Sequence, residues 1–300
     1  MAQKITPNLW FDDNIQEAVD FYVAAFPDSS IMTTVNYPNS AEEGLADFQL
    51  DKAGKVLTID FELGGLHFTA INGGPAFTFN PAVSFMVNFD PSQDEQAREH
   101  LDALWDKLMD GGEALMPLDA YPYSKRYGWV KDRYGLTWQL ILTDPDGEPR
   151  PFIIPALQFS GEHVNRAEEA INYYVSIFKD SKLGTVARYD KDTGPAKAGS
   201  IMFADVMLAG QWFAAMDSGT DDDFTFNEAV SLAVSCKDQA EIDYFWEKLS
   251  KVPEAEQCGW CKDAFGVVWQ IVPENMEELL KKPDAFTHMM QMKKLVIDDF

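Results

Sequence analysis

The stretch YGWVKDRYGLTWQLI at residues 127–141 recurs as CGWCKDAFGVVWQIV at residues 258–272, and this repetition constrains the fold more than any other feature. Three more pairs follow in the same order: ITPNLWF (5–11) with IIPALQF (153–159), EAVDFYVAAFPDSSI (17–31) with EAINYYVSIFKDSKL (169–183), and FTFNPAVS (77–84) with FTFNEAVS (224–231). The offset drifts only between 152 and 131, as expected from a few loop insertions and deletions. The chain is therefore predicted to be a duplicated domain.

The segment TDPDGEPRP at residues 143–151 joins the two copies and has the Pro, Asp and Gly content of a linker. It predicts one domain over residues 1–148 and a second over residues 149–300. Residues 274–300 have no counterpart in the first copy and predict a helix followed by a short strand. The methionines at 289, 290 and 292 predict soft packing of this segment over the second half.

Each copy contains two helices with apolar residues at helical spacing. The first helix has Val19, Tyr22, Val23 and Phe26, repeated as Ile171, Tyr174, Val175 and Phe178, and the second has Leu101, Leu104, Trp105 and Leu108, repeated as Ile242, Phe245, Trp246 and Leu249. Short β-branched and aromatic runs bounded by Gly or Pro predict strands between them. Each half is thus predicted to be an α+β unit, with helices on one face of a mixed sheet and a cup on the other face.

The net charge of −25 argues against nucleic acid or an anionic membrane as a partner, because both need clustered Lys and Arg. A small ligand that is neutral or cationic fits this charge better. No apolar run reaches the roughly 18 residues needed to cross a bilayer, and the start MAQKITPNLW lacks the pattern of a signal peptide. These features predict a cytoplasmic protein.

The three cysteines lie beyond residue 235 and are too few for a disulfide framework. Two of them form the motif CGWC, Cys258 to Cys261. A redox dithiol of this spacing belongs at a helix N-terminus, whereas here a turn and a strand follow. Two incidental strand cysteines are the favoured interpretation.

The doubled strand, helix and three-strand unit, with FY closing the first helix and a D-x-x-G turn before the last strand, resembles the glyoxalase, bleomycin-resistance and extradiol dioxygenase superfamily. The phrases FYVAAFPDSS, YYVSIFKDSK, CKDQAEIDYFWEKLS, GWCKDAFGVVWQIVP and MMQMKKLVI look like its PhnB-like branch, which often carries the label 3-demethylubiquinone-9 3-methyltransferase. The resemblance implies tandem vicinal oxygen chelate domains, in which paired βαβββ modules form curved mixed sheets with helices on the outer face.

Metal-using members of this superfamily imply a divalent ion held by His, Gln or Glu on a first strand and Glu on a last strand. The matching first-strand positions are Pro7 or Asn8 in one half, and Pro155 or Ala156 in the other; the last strands carry Gln139 and Gln270. A neutral amide binds a hard cation more weakly than a carboxylate does. The histidines at 67, 100, 163 and 288 form no ligand cluster. The sequence therefore disfavours a metal, indicates no other cofactor and identifies no catalytic residue.

Eight residues are candidates for ligand binding. A Gln within an apolar strand needs hydrogen-bond partners, which either a ligand or neighbouring protein groups supply. The tryptophans beside the repeated turn either line a cup or fill a core. The remaining candidates are aligned pairs that differ between halves, His67 with Trp212 and Trp10 with Gln158. The candidates are Gln139, Gln270, Trp129, Trp260, His67, Trp10, Gln158 and Trp212.

The leading hypothesis is a small-molecule-binding protein whose halves pack as an internal pseudo-dimer, with a cationic or aromatic ligand in an aromatic cup. The alternative is a metal-dependent lyase, isomerase or dioxygenase of the same superfamily, and a third is that one half serves only as a structural partner. No strand leads through a glycine-rich G-x-G-x-x-G turn into a helix, so the methyltransferase label has no support in the residues. Further association into a homodimer stays open, as does the ligand's identity.

Overall fold

The computed structural model describes residues 3–40, 45, 47–282 and 284–300. The strands are β1 Ile5–Phe11, β2 Ser30–Asn36, β3 Val56–Leu63, β4 Leu66–Asn72, β5 Val83–Phe89, β6 Glu113–Tyr121, β7 Ser124–Lys131, β8 Thr137–Leu142, β9 Ile153–Phe159, β10 Lys182–Arg188, β11 Ile201–Leu208, β12 Gln211–Asp217, β13 Val230–Cys236, β14 Trp260–Lys262 and β15 Val268–Pro273. The helices are α1 Ile15–Ala25, α2 Ala97–Met109, α3 Ala167–Ile177, α4 Gln239–Leu249, α5 Met276–Leu279 and α6 Ala285–Gln291. None of these helices is long and apolar enough to cross a membrane.

The strands form two curved mixed sheets. Sheet A has the order β14-β15-β13-β1-β4-β3-β2, and sheet B has the order β10-β11-β12-β9-β5-β8-β7-β6. Four successive strand, helix and strand modules build them: module 1 (β1 to β4), module 2 (β5 to β8), module 3 (β9 to β12) and module 4 (β13 to β15). Modules 1 and 3 are equivalent by the internal repeat, as are modules 2 and 4.

Each sheet combines one module from each half of the chain. Strand β1 pairs antiparallel with β13, with Ile5 opposite Val234, and β5 pairs antiparallel with β9, with Val83 opposite Leu157. The expectation that each half curls its own sheet into its own cup is therefore wrong. Alternating hydrophobicity shows which face of a strand is buried, but it does not show which module completes the sheet.

The apolar core of each half lies between its two modules, on the helix side of both sheets. In the first half Phe68 of sheet A meets Phe85 of sheet B, with ring centroids 5.0 Å apart, and Phe26 packs on Trp138 at 4.6 Å. In the second half Phe178 stacks on Phe245 at 4.9 Å. Both sheets run across the halves, and one continuous apolar cluster extends through both, so backbone hydrogen bonds and buried side chains join the two halves.

The repeated phrase builds the same buried cluster twice. In the second copy, one carboxylate oxygen of Asp263 accepts from the backbone N–H groups of Phe265 and Val267, while the other accepts from Tyr174 Oη at 2.6 Å and Trp269 Nε1 at 2.8 Å. Gly266 allows the turn with a φ of +84°. Asp132 makes the equivalent bonds in the first copy. The phrase therefore ties the last strand to the first helix of each half.

The C-terminal segment forms α5, α6 and a 3-10 turn over Ile297–Asp299. The predicted short strand is wrong, although the segment still adds to the edge of sheet A: Cys258 N donates to Met292 O at 2.8 Å, and Gly259 N to Lys293 O at 2.7 Å. In sheet B the corresponding edge is covered by β6. These two backbone hydrogen bonds attach the segment to the sheet edge, so residues 295–297 do not have to pair with β14 as a further strand.

Candidate functional site

The face of sheet A opposite its helices, here named cup A, is polar. Strand alternation places on it Thr6, Asn8 and Trp10 of β1, Asp60 and Glu62 of β3, His67 and Thr69 of β4, Ser231 and Ala233 of β13, Trp260 of β14 and Gln270 of β15. Their neighbours along the strands, such as Leu9 and Phe61, are fully buried on the helix side. Most cup A side chains are half-exposed, so a ligand can reach them.

One end of the Gln270 amide has no hydrogen bond to any described residue. It is 8% exposed, and its Nε2 donates to Ser231 Oγ at 2.8 Å. Among the described residues no hydrogen bond uses its Oε1. Trp260 lies directly opposite on β14. The last-strand Gln of cup A therefore presents an unused acceptor beside an indole.

Two of the candidate tryptophans meet across cup A. Trp10 and Trp260 stand three strands apart in the sheet order, yet their ring centroids lie 6.0 Å apart in an edge-to-face arrangement. The indole N–H of Trp10 donates to Gly74 O at 2.7 Å, and the ring covers Gly73, where a Cβ would come within 2.0 Å of it. These contacts fix the indole of Trp10 as a wall of the cup.

Cup A contains a carboxylate without a cationic partner. One oxygen of Asp60 accepts from Thr69 Oγ1 at 2.5 Å, and no Lys or Arg among the described residues forms an ion pair with Asp60. Burial raises its pKa, against the opposing effects of Thr69 and His67. Next to it on β3, Glu62 is held by His67 Nε2 at 2.6 Å. Asp60 is thus a partly buried carboxylate to which no described Lys or Arg is paired.

The corresponding face of sheet B, named cup B, is filled by its own side chains. Met86, Ile154, Ala156 and Ala214 are each at most 5% exposed and pack together, with Ile141, Phe203, Trp212 and Met216 against them. Ile154, Ala156 and Ala214 occupy the strand positions that carry Thr6, Asn8 and Thr69 in cup A. Cup B is therefore a second small core.

Gln139 occupies in cup B the place of Gln270, but both ends of its amide are bonded. Its Oε1 accepts from Tyr127 Oη at 2.8 Å, and its Nε2 donates to Ser84 Oγ at 2.8 Å. Trp129 lies opposite on β7. The indole nitrogen of Trp129 and the hydroxyl of Thr137 are buried, and no described residue forms a hydrogen bond with either. Both ends of the Gln139 amide are therefore engaged within the protein.

The aspartate of cup B is neutralised from within the chain. Asp205 aligns with Asp60, and Arg150 of the linker binds it at 2.8 Å. The guanidinium also lies 3.9 Å from the ring centre of Trp212, the residue that aligns with His67. The residue that aligns with Arg150 in the first half is Ala2, which lies outside the described residues and carries no charge. In the described part of cup A, therefore, no Lys or Arg takes the place that Arg150 takes in cup B.

The last of the eight candidates, Gln158 of cup B, donates to Ser218 Oγ and to Asp222 Oδ2, both at 3.1 Å. The structure thus divides the candidates into two groups of four. Cup A brings together Trp10, His67, Trp260 and Gln270, and cup B contains Trp129, Gln139, Gln158 and Trp212.

The positions where superfamily members bind a metal carry weak donors. Asn8 and Ala156 face the cups, since they lie opposite Ser231 and Ser84, and Asn8 donates its Nδ2 to Thr6 O. In the part of the chain that the structure describes, no group of three His, Cys, Asp or Glu side chains could hold a metal ion.

The CGWC motif has the thiol environment of structural cysteines. Cys261 is fully buried and Cys258 is partly buried; burial raises the pKa of both thiols. A raised pKa lowers the thiolate fraction on which dithiol exchange depends. Cys261 is a strand cysteine as predicted, whereas Cys258 lies in the turn before β14, with a φ of +50°.

Sequence reasoning missed Asp60, Thr69 and Arg150. The segment TIDFEL contained a usable signal, because its polar and apolar residues alternate and place Asp60 and Glu62 on one face. The role of Arg150 had no such signal, since it belongs to a linker and reaches Asp205 only through the fold.

The 3-demethylubiquinone-9 3-methyltransferase family model matches residues 3–141 and 151–272. The chain belongs to this family. A Bacillus cereus structure titled putative 3-demethylubiquinone-9 3-methyltransferase, PhnB protein, is 36% identical, with 47% of this chain and 100% of that chain covered and a TM-score of 0.40. A Staphylococcus aureus protein is 30% identical over 48% and 99% of the two chains, with a TM-score of 0.19.

The fold comparison extends over both halves. Glyoxalase I from Zea mays is 13% identical, covers 92% of this chain and 96% of its own, and has a TM-score of 0.51. The predicted tandem vicinal oxygen chelate fold is therefore confirmed. No curated protein matches the chain.

Proposed function

We propose that this protein binds a small cationic organic ligand in cup A. The observation that carries the proposal is the difference between two aligned aspartates. Asp205 of cup B has Arg150 at 2.8 Å, whereas the hydrogen bonds among the described residues give Asp60 of cup A only the hydroxyl of Thr69. A half-buried carboxylate gains most from a cationic partner, because the surrounding protein screens the charge less than water does.

Cup B serves as the internal example of such a complex. There a planar cation, the guanidinium of Arg150, lies on an aromatic ring and pairs with an aspartate. Cup A offers the aspartate without the cation, together with the Trp10 and Trp260 indoles and the unused amide oxygen of Gln270. An aromatic cation therefore suits cup A, and the protein's charge of −25 raises the local concentration of cations.

Only cup A is proposed to bind the ligand, and cup B is proposed to be a structural partner. Four buried apolar side chains of cup B pack together with four more against them, and both ends of the Gln139 amide are bonded within the protein. Cup B would thus help to hold the two halves together, while cup A, formed where the same halves meet in sheet A, would bind the ligand.

The proposed binding does not depend on a metal. The donors at the family's metal positions are Asn8 with Gln270, and Ala156 with Gln139, and three amides and a methyl group do not fit a hard divalent ion. The alternative, a metal-dependent lyase, isomerase or dioxygenase, requires an ion that survives purification. Elemental analysis of protein prepared without chelator tests it: more than about a tenth of an equivalent of Ni, Zn, Fe or Mn would favour that alternative.

Methyl transfer is not part of the proposal, although the family description contains the word. The three glycine pairs lie in the β3 to β4 turn, beneath Trp10, and between α2 and β6, and none connects a strand to a helix. We further propose that the protein acts in the cytoplasm on small molecules, without a nucleic-acid or membrane partner.

Calorimetry with N-methylquinolinium, an aromatic cation, tests the proposal. Asp60→Asn keeps the size of the side chain and the bond from Thr69, so we expect it to weaken binding at least tenfold, about 1.4 kcal/mol, through loss of charge. Asp20→Asn on the exposed face of α1 is the control for net charge and should have little effect. Since burial raises the pKa of Asp60, binding should also weaken as pH falls toward 4.

Two results would count against the proposal. One is the absence of binding at submillimolar concentration, and the other is equal weakening by Asp60→Asn and Asp20→Asn. Gln270→Leu and Gln139→Leu form a second matched pair, in which only the Gln270 change should reduce affinity. Equal reduction by both would contradict the assignment of cup B as a structural partner.

A further inference from the structure

A second cavity lies outside both cups, beside the start of α1. Its volume is about 550 Å³, and its walls come from the end of β1, the segment 77–79, the α2 to β6 turn and the β7 to β8 turn. Trp10 and Phe79 supply aromatic walls, Asp12 supplies a carboxylate, and Gly135 forms part of the inner surface. Because the chain is duplicated, the second half contains a matching position, and the residues there can be compared with those that line this cavity.

In the second half an imidazole ring occupies the matching space. Gly266 aligns with Gly135, and a Cβ on Gly266 would come within 2.4 Å of His163 Nε2. A Cβ placed on Gly135 would meet no atom closer than 3.8 Å, and the nearest atom belongs to Phe79. His163 also lies 6.5 Å from the ring of Phe226, which aligns with Phe79. The first-half cavity thus keeps Gly135 and Phe79, the counterparts of Gly266 and Phe226, but no described residue places an imidazole ring beside them.

An insertion explains the difference. Six positions separate Phe11 from Glu17, whereas ten separate the aligned Phe159 from Glu169. The additional residues form the 3-10 turn Gly161–His163, which carries the imidazole into place. The first half lacks this turn, so the space between its β1 and its β7 to β8 turn stays open.

The charges around the two positions differ in a way that selects the ligand. In the second half burial lowers the pKa of His163; Glu162 opposes this shift and Arg166 and Lys262 add to it, so the net direction favours the neutral ring. In the first half Asn14 stands immediately before α1, as Arg166 stands immediately before α3. Asp12 is the residue that aligns with Ser160. Lys131 and Arg133 of this cavity are already paired with Glu113 and Asp110.

We infer that the cavity between Trp10, Asp12 and Gly135 is a binding site for a planar nitrogen heterocycle in its protonated form, with Asp12 as the partner of the cation. The aromatic walls accept the faces of the ring, and no ion pair among the described residues uses the Asp12 carboxylate. The site differs from cup A in its acidic residue, so the two can be tested separately.

Imidazole is the probe, and the indole N–H signal of Trp10 in ¹H–¹⁵N spectra is the reporter, identified with Trp10→Phe. We expect that signal to shift with saturation in the millimolar range, as for a ligand of five heavy atoms. Binding should be tighter at pH 6 than at pH 8, because an imidazole ring titrates near pH 6.5. Asp12→Asn should abolish this pH dependence, whereas Asp28→Asn, an exposed control, and Asp60→Asn in cup A should preserve it.

His163→Ala provides a second test in the other half. Removal of the ring should create a second imidazole site, reported by new shifts around Gly266 that the wild-type protein lacks. The inference would be overturned by an unchanged Trp10 signal at 50 mM imidazole, roughly tenfold above the expected range. Equal binding at pH 6 and pH 8, or equal effects of Asp12→Asn and Asp28→Asn, would overturn the role of Asp12.

Discussion

Removal of the Tyr174 hydroxyl should destabilise the protein in a pH-dependent way. Tyr174 Oη donates to Asp263 Oδ2 at 2.6 Å, and both residues are buried. Burial raises the pKa of Asp263 to about 6. At pH 8 the hydroxyl therefore donates to a carboxylate, a bond that contributes about 2 kcal/mol, whereas at pH 5 it meets a largely protonated acid and contributes about 1 kcal/mol.

The sign of the pH effect follows from the raised pKa. Because the folded pKa lies above the unfolded one near 4, the stability linked to Asp263 is fully present below pH 4 and is lost as pH rises through about 6. Tyr174→Phe removes a bond that holds this pKa down, so the folded pKa should rise further. The variant is thus expected to lose more stability at pH 8 than at pH 5.

Urea unfolding followed by tryptophan fluorescence and circular dichroism at pH 5 and pH 8 measures both losses. Tyr22→Phe is the matched variant, since Tyr22 Oη makes the same bond to Asp132 at 2.8 Å. The shared sheets predict that both variants shift one common transition. Equal losses at the two pH values, or a loss below about 0.5 kcal/mol at pH 8, would refute the reasoning.

Three further changes test the packing of the two cups. Gln139→Leu leaves two buried hydroxyls without their partner and should cost about 1 to 3 kcal/mol in urea unfolding, more than Gln270→Leu, and the reverse order would be inconsistent with the bonding. Arg150→Met should cost about 3 to 5 kcal/mol by leaving a buried carboxylate unpaired, and no loss of unfolding free energy would exclude that ion pair as a major contributor. Gly266→Ala should lower the melting temperature more than Gly65→Ala, because both have positive φ but only the former meets a side chain; equal shifts would argue against the close imidazole contact.

The sequence predicts the elements and the family well because they rest on local patterns. The apolar stripe containing Tyr22 becomes the buried face of α1, and the D-x-x-G phrase becomes the turn of Asp132 and Gly135. Both depend on residues close together in the chain. The pairing of β1 with β13 depends instead on residues more than 200 positions apart, which hydrophobic alternation does not specify.

The candidate site could be predicted only in part, because it also depends on contacts between segments that are distant in the chain. The strand positions of Gln139 and Gln270 look alike in sequence. Only the fold shows that Tyr127 donates a hydrogen bond to the amide oxygen of Gln139 and that it makes no such bond to Gln270. Likewise Asp60 and Asp205 align, but the linker residue Arg150 neutralises only the latter. Such differences arise from contacts between distant segments, so a single sequence does not reveal them.

A crystal structure of the protein with N-methylquinolinium tests the central claim most directly, because it shows which cup contains the cation. The account predicts ligand density in cup A, with the positive ring against Asp60 and cup B unchanged. Density in cup B with displacement of Arg150, or no density in either cup at saturating concentration, would contradict it.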